Sequence, residues 1–338
     1  MKRRKFILSM AGTTAVGLSG LTLNTLLRNK TGNAKISRIS RSSFALGTGV
    51  TLTVYHENAK LAGEAIDSAL KGIDEVEEVM SLYRPGSQIS QLNQSGHLDN
   101  PHPYLIRVLE KSAQLSRQTE GLFDISIQPM WSLYNKCSQE GRLPNEEELE
   151  NTLAKVDWRK IRVSPNRIEL TGKGMELTLN GIAQGFAADV VAMELGRFGI
   201  ENALIDTGEI SGLGSHVEKD AWDIGIKHPR NFGEFMGTTA LNNRCLATSG
   251  DYESRFGEGF QSHHLLNPRT GKSPLELSSV SVAAPTALDA DALSTAVFLS
   301  GLEKGRQLVE SSPNADALFV MKDGQTVCTA GFPFSSIS

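Results

Sequence analysis

Beyond residue 60 the apolar side chains Leu61, Ala65, Ile66, Ala69, Leu70, Ile73, Val76, Val79 and Met80 return every three or four positions, with Glu and Asp between them. That period predicts an amphipathic helix with one face on a core, and Arg84-Pro85-Gly86 marks its stop. A second helical pattern runs from Pro103 to about Thr119 and ends at Gly121. Gly181 to Phe198 and about 288 to 300 read as two more. Elsewhere the period is two. Residues 44 to 55 alternate around Gly-Thr-Gly and predict a strand with a backbone-accessible start, while 167 to 171 and 175 to 179 flank Thr171-Gly-Lys-Gly174 and predict a hairpin. Short strands are expected at 203 to 206, 222 to 226 and 279 to 284, with a final pair near 316 to 329. Helices and strands mix without the repeating strand-helix unit of a doubly wound sheet, which predicts an α+β fold.

Composition adds exclusions. The chain has 338 residues, 39% hydrophobic and 21% charged, which is a globular balance. No linker tract and no solenoid-length period appears, so residues 40–335 read as one globular unit. The net charge of -4 conceals an asymmetry: residues 1 to 30 hold six bases and no acid, leaving 28 bases against 38 acids in the remainder. So acidic a body argues against nucleic acid as partner. Cys137, Cys245 and Cys328 are too scattered for a zinc site or a redox pair.

Lys2-Arg3-Arg4-Lys5 precedes an uncharged stretch from Phe6 to Leu27 rich in Gly, Ser, Thr and Ala. The pattern predicts a twin-arginine export signal over residues 1–35, with the body working in a bacterial periplasm, tethered to the membrane if the signal is retained. An anchor helix is the alternative.

Several segments offer chemistry. Asp291 and Thr295 are four apart, so on a helix they share a face and present two oxygens to one hard cation. Alternatively, Asp289 or Asp291 caps the helix. Leu179-Asn-Gly181-Ile-Ala-Gln184-Gly185 enters a helix with glycines that let backbone approach a phosphate or its metal, although packing glycines have the same look. Tyr83, in a polar stretch from Ser81 to Asn93, suits a flat ring or covers the core. Ala247-Thr-Ser-Gly-Asp-Tyr252 reads as a polar turn, and His263-His264 before Asn267-Pro268 offers an imidazole base. Neither a G-x-S-x-G elbow nor H-E-x-x-H is present, so serine hydrolases and zinc proteases lack support.

Taken in order, Leu46-Gly-Thr48, Ser81-x-Tyr83 through Asn93, Gly121-Leu-Phe-Asp-Ile-Ser126, Gly181-Ile-Ala-Gln-Gly185, Ala247-Thr-Ser-Gly-Asp-Tyr252, His264-Leu-Leu-Asn-Pro-Arg-Thr-Gly271 and Ala290-Asp-Ala-Leu-Ser-Thr-Ala296 resemble the ApbE family of FAD:protein FMN transferases. The resemblance implies mixed sheets with packed helices, and an FAD cleft between two lobes with Mg2+ at the pyrophosphate. It implies that Asp291 and Thr295 are side-chain metal ligands and Gly181 a carbonyl ligand. Leu46, Tyr83, Leu122, Phe123, Asp124, Thr178, Gln184 and Leu265 are the implied FAD contacts, and His264, with Asp291, the catalytic group. The implied reaction is attack of an acceptor threonine hydroxyl on the FMN phosphorus of FAD, with AMP leaving.

The chain also departs from the family pattern. Thr178 and Gln184 stand where an acid and a base are usual, Asp206-Thr-Gly-Glu209 where Gly-Gly-Asp is usual, and Asn267 where Asp is usual. A neutral Gln184 is expected to attract a diphosphate less. These variants and the signal resemble the NosX-like branch, implying a NosR-like acceptor flavoprotein with an exported FMN-binding domain. The competing readings are an FAD pyrophosphatase and a non-catalytic periplasmic flavin-binding protein.

Overall fold

The computed structural model describes residues 36–337 together with the short strand Thr25–Leu26 (β1). The export-signal reading otherwise lies outside the described residues. Among those described, no helix is long and apolar enough to cross a membrane.

The alternation around residue 50 builds a hairpin, Ser37–Ala45 (β2) and Thr48–His56 (β3), rather than one strand. Its turn is Leu46-Gly47, both at positive φ (52° and 77°), the twist that joins two strands in two residues. The first helix, Ala59–Met80 (α1), starts on Asn58, whose side chain accepts from the amides of Lys60 and Leu61. Then follow Gln88–Ser95 (α2), His97–Asp99 (β4), Pro103–Gln118 (α3), Gln128–Gln139 (α4) and Glu146–Leu153 (α5). Ile161–Ser164 (β5), Arg167–Leu170 (β6) and Ala183–Arg197 (α6) lead into Asn202–Asp206 (β7), Ile210–Leu213 (β8), Trp222–Lys227 (β9) and Phe235–Leu241 (β10). The chain closes with Arg244–Gly250 (β11), Leu277–Ala284 (β12), Ala287–Glu310 (α7), Asp316–Met321 (β13), Thr326–Cys328 (β14) and Phe334–Ser336 (β15).

The fold is α+β, as the mixed pattern predicts. Nine strands form one antiparallel sheet in the order β1-β2-β3-β7-β8-β11-β12-β13-β14. Val50, Leu52 and Val54 of β3 turn to one face, where they pack with Ala62, Ile66, Ala188 and Ala287 of α1, α6 and α7. Tyr55 turns to the other face and packs with Trp222, Ile224 and Leu241 of the small β15-β10-β9 sheet. Burial on both faces explains why every residue of β12 is buried.

Two expectations are corrected here. Residues 167 to 179 are not one hairpin: β6 pairs with β5 and β4, while 175 to 179 run as connecting chain. The Asn93 side chain satisfies both the N–H (2.7 Å) and the carbonyl (2.8 Å) of Leu177, and the flanking Glu176 and Thr178 meet only an isolated bridge to Ile127 and the Ile125 carbonyl, so no extended strand pair forms. Ala247 to Gly250, read as a turn, belongs to β11 inside the main sheet, because β12 pairs with it residue by residue while β8 holds the start of the same strand at Arg244 to Leu246.

Candidate active site

A cavity of about 630 Å³ opens where the β7-β8 turn, β11, the β9-β10 sheet, the start of α6 and the face of α7 meet. One corner of it is built by α7. Thr286 caps that helix, accepting from the Asp289 amide, while Asp289 receives the Thr286 hydroxyl and pairs with Lys111. Thr286 is thus the cap and Asp289 its partner, and Asp291 takes no part in capping. Asp291 turns inward, 4% exposed, and its Oδ2 accepts the Gly185 N–H at 2.9 Å. Thr295, one turn on, lines the same cavity, and its hydroxyl lies 3.2 Å from Ser249 Oγ. Gly181 packs beside it: a Cβ there would come within 2.9 Å of Thr295 Oγ1. Helix spacing thus brings Asp291, Thr295 and the Gly181 backbone together.

Burial pushes the Asp291 carboxyl up to about 7, with the neighbouring Asp189 charge adding to the shift against the Gly185 amide. Glu209, on the turn after β7, is raised for the same first reason and next by Asp291 itself. The folded form therefore keeps a proton on Asp291 that an unfolded aspartate releases near pH ~4. Metal-free stability should then fall as pH rises from about 4 to about 7, and Asp291→Asn should flatten that slope. Thermal unfolding of both proteins in chelator across that interval checks it; identical slopes would refute the shift.

The donor set suits a hard cation. Among the described residues no three His, Cys, Asp or Glu side chains converge as a metal cage. A carboxylate, a hydroxyl and a backbone carbonyl remain, leaving positions for water and phosphate oxygens as Mg2+ prefers. Charge balance points the same way: among the described residues Asp124, Asp206, Glu209, Glu253 and Asp291 line the cavity against Lys227 as the one Lys or Arg. A diphosphate entering such a space needs a counter-cation.

Gly185 holds this corner closed. A Cβ there would lie 2.6 Å from Asp291 Cβ and collide with the Ala287 carbonyl, which is backbone and cannot swing aside. Gly185→Ala should cost about 1–3 kcal/mol by overpacking and displace Asp291; denaturant unfolding with a midpoint unchanged from wild type would contradict it.

The long loop between β11 and β12 delivers His264 and Leu265 to the same cavity. Burial lowers both His263 and His264 to about 4, so both rings are neutral at physiological pH. His264 Nδ1–H donates to the Ser254 carbonyl at 3.3 Å, leaving Nε2 as the unprotonated nitrogen. Asp251 anchors the loop. Its side chain is 0% exposed, takes a two-pronged bond from Arg230 at 2.8 Å each, and pairs with Lys322. Lys322 also donates to the Phe260 carbonyl, and the Arg230 guanidinium lies 3.9 Å from the centre of the Phe260 ring.

The other residues of interest divide. Leu122, Phe123, Asp124, Thr178, Gln184 and Leu265 line the cavity. The Asp124 carboxylate, however, is taken up by the Ser126 amide and hydroxyl and the Trp158 amide, so its side chain ties loops together and leaves its backbone as the surface offered. Leu46 and Tyr83 do not line it. They stand beyond Thr48 and Gly49, Tyr83 72% exposed with its ring against Gly47. Glu77 ties them there, accepting the Leu46 N–H at 2.8 Å and pairing with Arg84. Trp131, Lys227 and Glu209 line the cavity without having been singled out as site residues in the sequence, whereas Ser249 lies in the Ala247 to Tyr252 motif; for Glu209 the departure at 206 to 209 was the available signal.

An α+β protein with a deep, oxygen-rich cavity at one end of its main sheet is the class that fold and site define. The sequence model of the ApbE family matches residues 46–319, and the chain belongs to that family. It is 29% identical over 325 residues to an FAD:protein FMN transferase of Treponema pallidum, covering 89% of each chain. With a protein of the same name from Haemophilus influenzae it shares 30% over 308 residues, 85% of this chain and 89% of that one. The crystal structure of an ApbE protein from Thermotoga maritima superposes with a TM-score of 0.79 at 26% identity, covering 87% of this chain and 97% of the other.

Proposed function

We propose that this chain transfers FMN from FAD to a threonine hydroxyl of an acceptor flavoprotein, releasing AMP. One observation carries the reading: a single cavity joins the Asp291, Thr295 and Gly181 corner to a neutral His264 across a partly apolar wall. Leu122, Phe123 and Leu265 offer the apolar surface a flavin or adenine ring needs. His264 Nε2 receives the proton as the acceptor oxygen bonds to the FMN phosphorus and the P–O bond to AMP breaks. Mg2+ held by Asp291, Thr295 and Gly181 would neutralise the diphosphate charge. The chain's own groups position and take a proton; the nucleophile comes from the acceptor.

The reading extends to place and partner. The Lys2-Arg3-Arg4-Lys5 signal pattern supports work on the periplasmic side, and the departures at Thr178, Gln184 and Asn267 support a NosR-like acceptor with an exported FMN-binding domain. The test mixes the purified full chain with FAD, Mg2+ and that acceptor domain, following acceptor mass and in-gel flavin fluorescence. The expected result is a gain of one FMN, lost without Mg2+ and in an acceptor Thr→Ala control. AMP and free FMN without labelling would indicate hydrolysis instead, and bound FAD with no AMP would indicate a flavin carrier.

A further inference from the structure

We propose that Glu209 is a second carboxylate of the cation pocket, binding the divalent ion together with Asp291; this rests on the reading that the pocket holds such an ion. Among the described residues four acidic side chains are nine-tenths buried or more: Asp124, Glu209, Asp251 and Asp291. Buried carboxylates are normally paired, hydrogen-bonded or bound to metal. Asp124 has three protein donors, and Asp251 has an arginine and a lysine. Glu209 and Asp291 are the exceptions.

Neither Glu209 nor Asp291 forms an ion pair among the described residues. Asp291 has the Gly185 amide on one oxygen, and Glu209 has only the Thr248 backbone amide turned toward it. Both line the same cavity. A short relay fixes their placement. The Thr207 N–H donates to the Glu209 carbonyl at 3.0 Å, and the Thr207 hydroxyl donates to the Gln184 carbonyl at 3.0 Å. The next residue, Gly185, binds Asp291. The peptide between Gln184 and Gly185 thus holds the Glu209 turn on one side and Asp291 on the other. Two buried carboxyls with so few donors lack the positive charge that ionising both would require, and a divalent cation, but not a neutral ligand, supplies it.

The test is a titration of Mn2+ into the full chain in the presence of ADP, with free Mn2+ read by its electron paramagnetic resonance signal. Wild type should bind the ion, and Glu209→Gln should weaken its dissociation constant at least about tenfold. The metal-free variant should melt no lower than wild type, since the amide keeps the shape of an unpaired buried carboxyl and takes away no charged partner. Affinity within about twofold of wild type would overturn the assignment, as would weakened binding with a melting temperature several degrees lower, which makes Glu209 a strut. Failure of the wild type itself to bind would instead overturn the cation reading, and the inference with it.

Discussion

An Asp291→Asn variant is expected to lose Mg2+-dependent AMP release from FAD by at least about 10²–10³-fold, the scale seen when one preorganised electrostatic group is removed from a transfer site. The substitution keeps the shape of the side chain and an acceptor oxygen for the Gly185 N–H, so the corner around Gly185, Ala287 and Thr295 should stay packed. What it removes is charge. Because burial already holds the Asp291 carboxyl up to about 7, ionising it in the metal-free protein is unfavourable, and an amide there should unfold no more readily. The combination of lost turnover with unimpaired folding is the signature of a metal ligand. Chromatographic quantitation of AMP, alongside a chelator-treated melting curve, measures both; activity within about tenfold of wild type would remove Asp291 from the cation site.

The largest stability effect is expected at Asp251. Asp251→Ala should cost about 3–5 kcal/mol, because it leaves the part-buried Arg230 and Lys322 without the carboxylate that compensates them. Ser278 and the Phe260 carbonyl remain as acceptors, but neither carries charge. The loss should reach the site as well: the loop that Asp251 anchors carries His264 and Leu265 into the cavity. Denaturant unfolding with an unchanged slope and a lower midpoint is the expected readout. A loss under about 1 kcal/mol would mean that Arg230 and Lys322 find enough water to dispense with their partner.

The legible parts of this molecule were those governed by local periodicity. The apolar steps of α1, the stretch ending at Gly121 and the entry to α6 all became helices close to the expected bounds. Even the expected end of the last helix near residue 300 has a counterpart, for Gly301 at φ 75° breaks the regular course of α7. Nonlocal support is what hid the rest. Arg244–Gly250 consists largely of small and polar residues and becomes a strand because two neighbours flank it. The segment from Met175 to Leu179 alternates like a strand, yet one Asn93 side chain satisfies its Leu177 backbone. In the site, the four-residue step from Asp291 to Thr295 was readable, and the ambiguity with Asp289 was resolved by Thr286 and Lys111. Glu209 stood out in the sequence only as a departure from the family pattern at 206 to 209; its interest in the site lies in the cations it lacks, and those are a property of the assembled fold.

The walls of the cavity come from stretches scattered between Thr48 and Leu299. Nothing short of the whole domain can recreate them, so occupancy becomes a sensor of complete folding: a nucleotide that binds only the finished structure adds about 2.7 kcal/mol at a hundred times its dissociation constant, and adds nothing to a partly made chain.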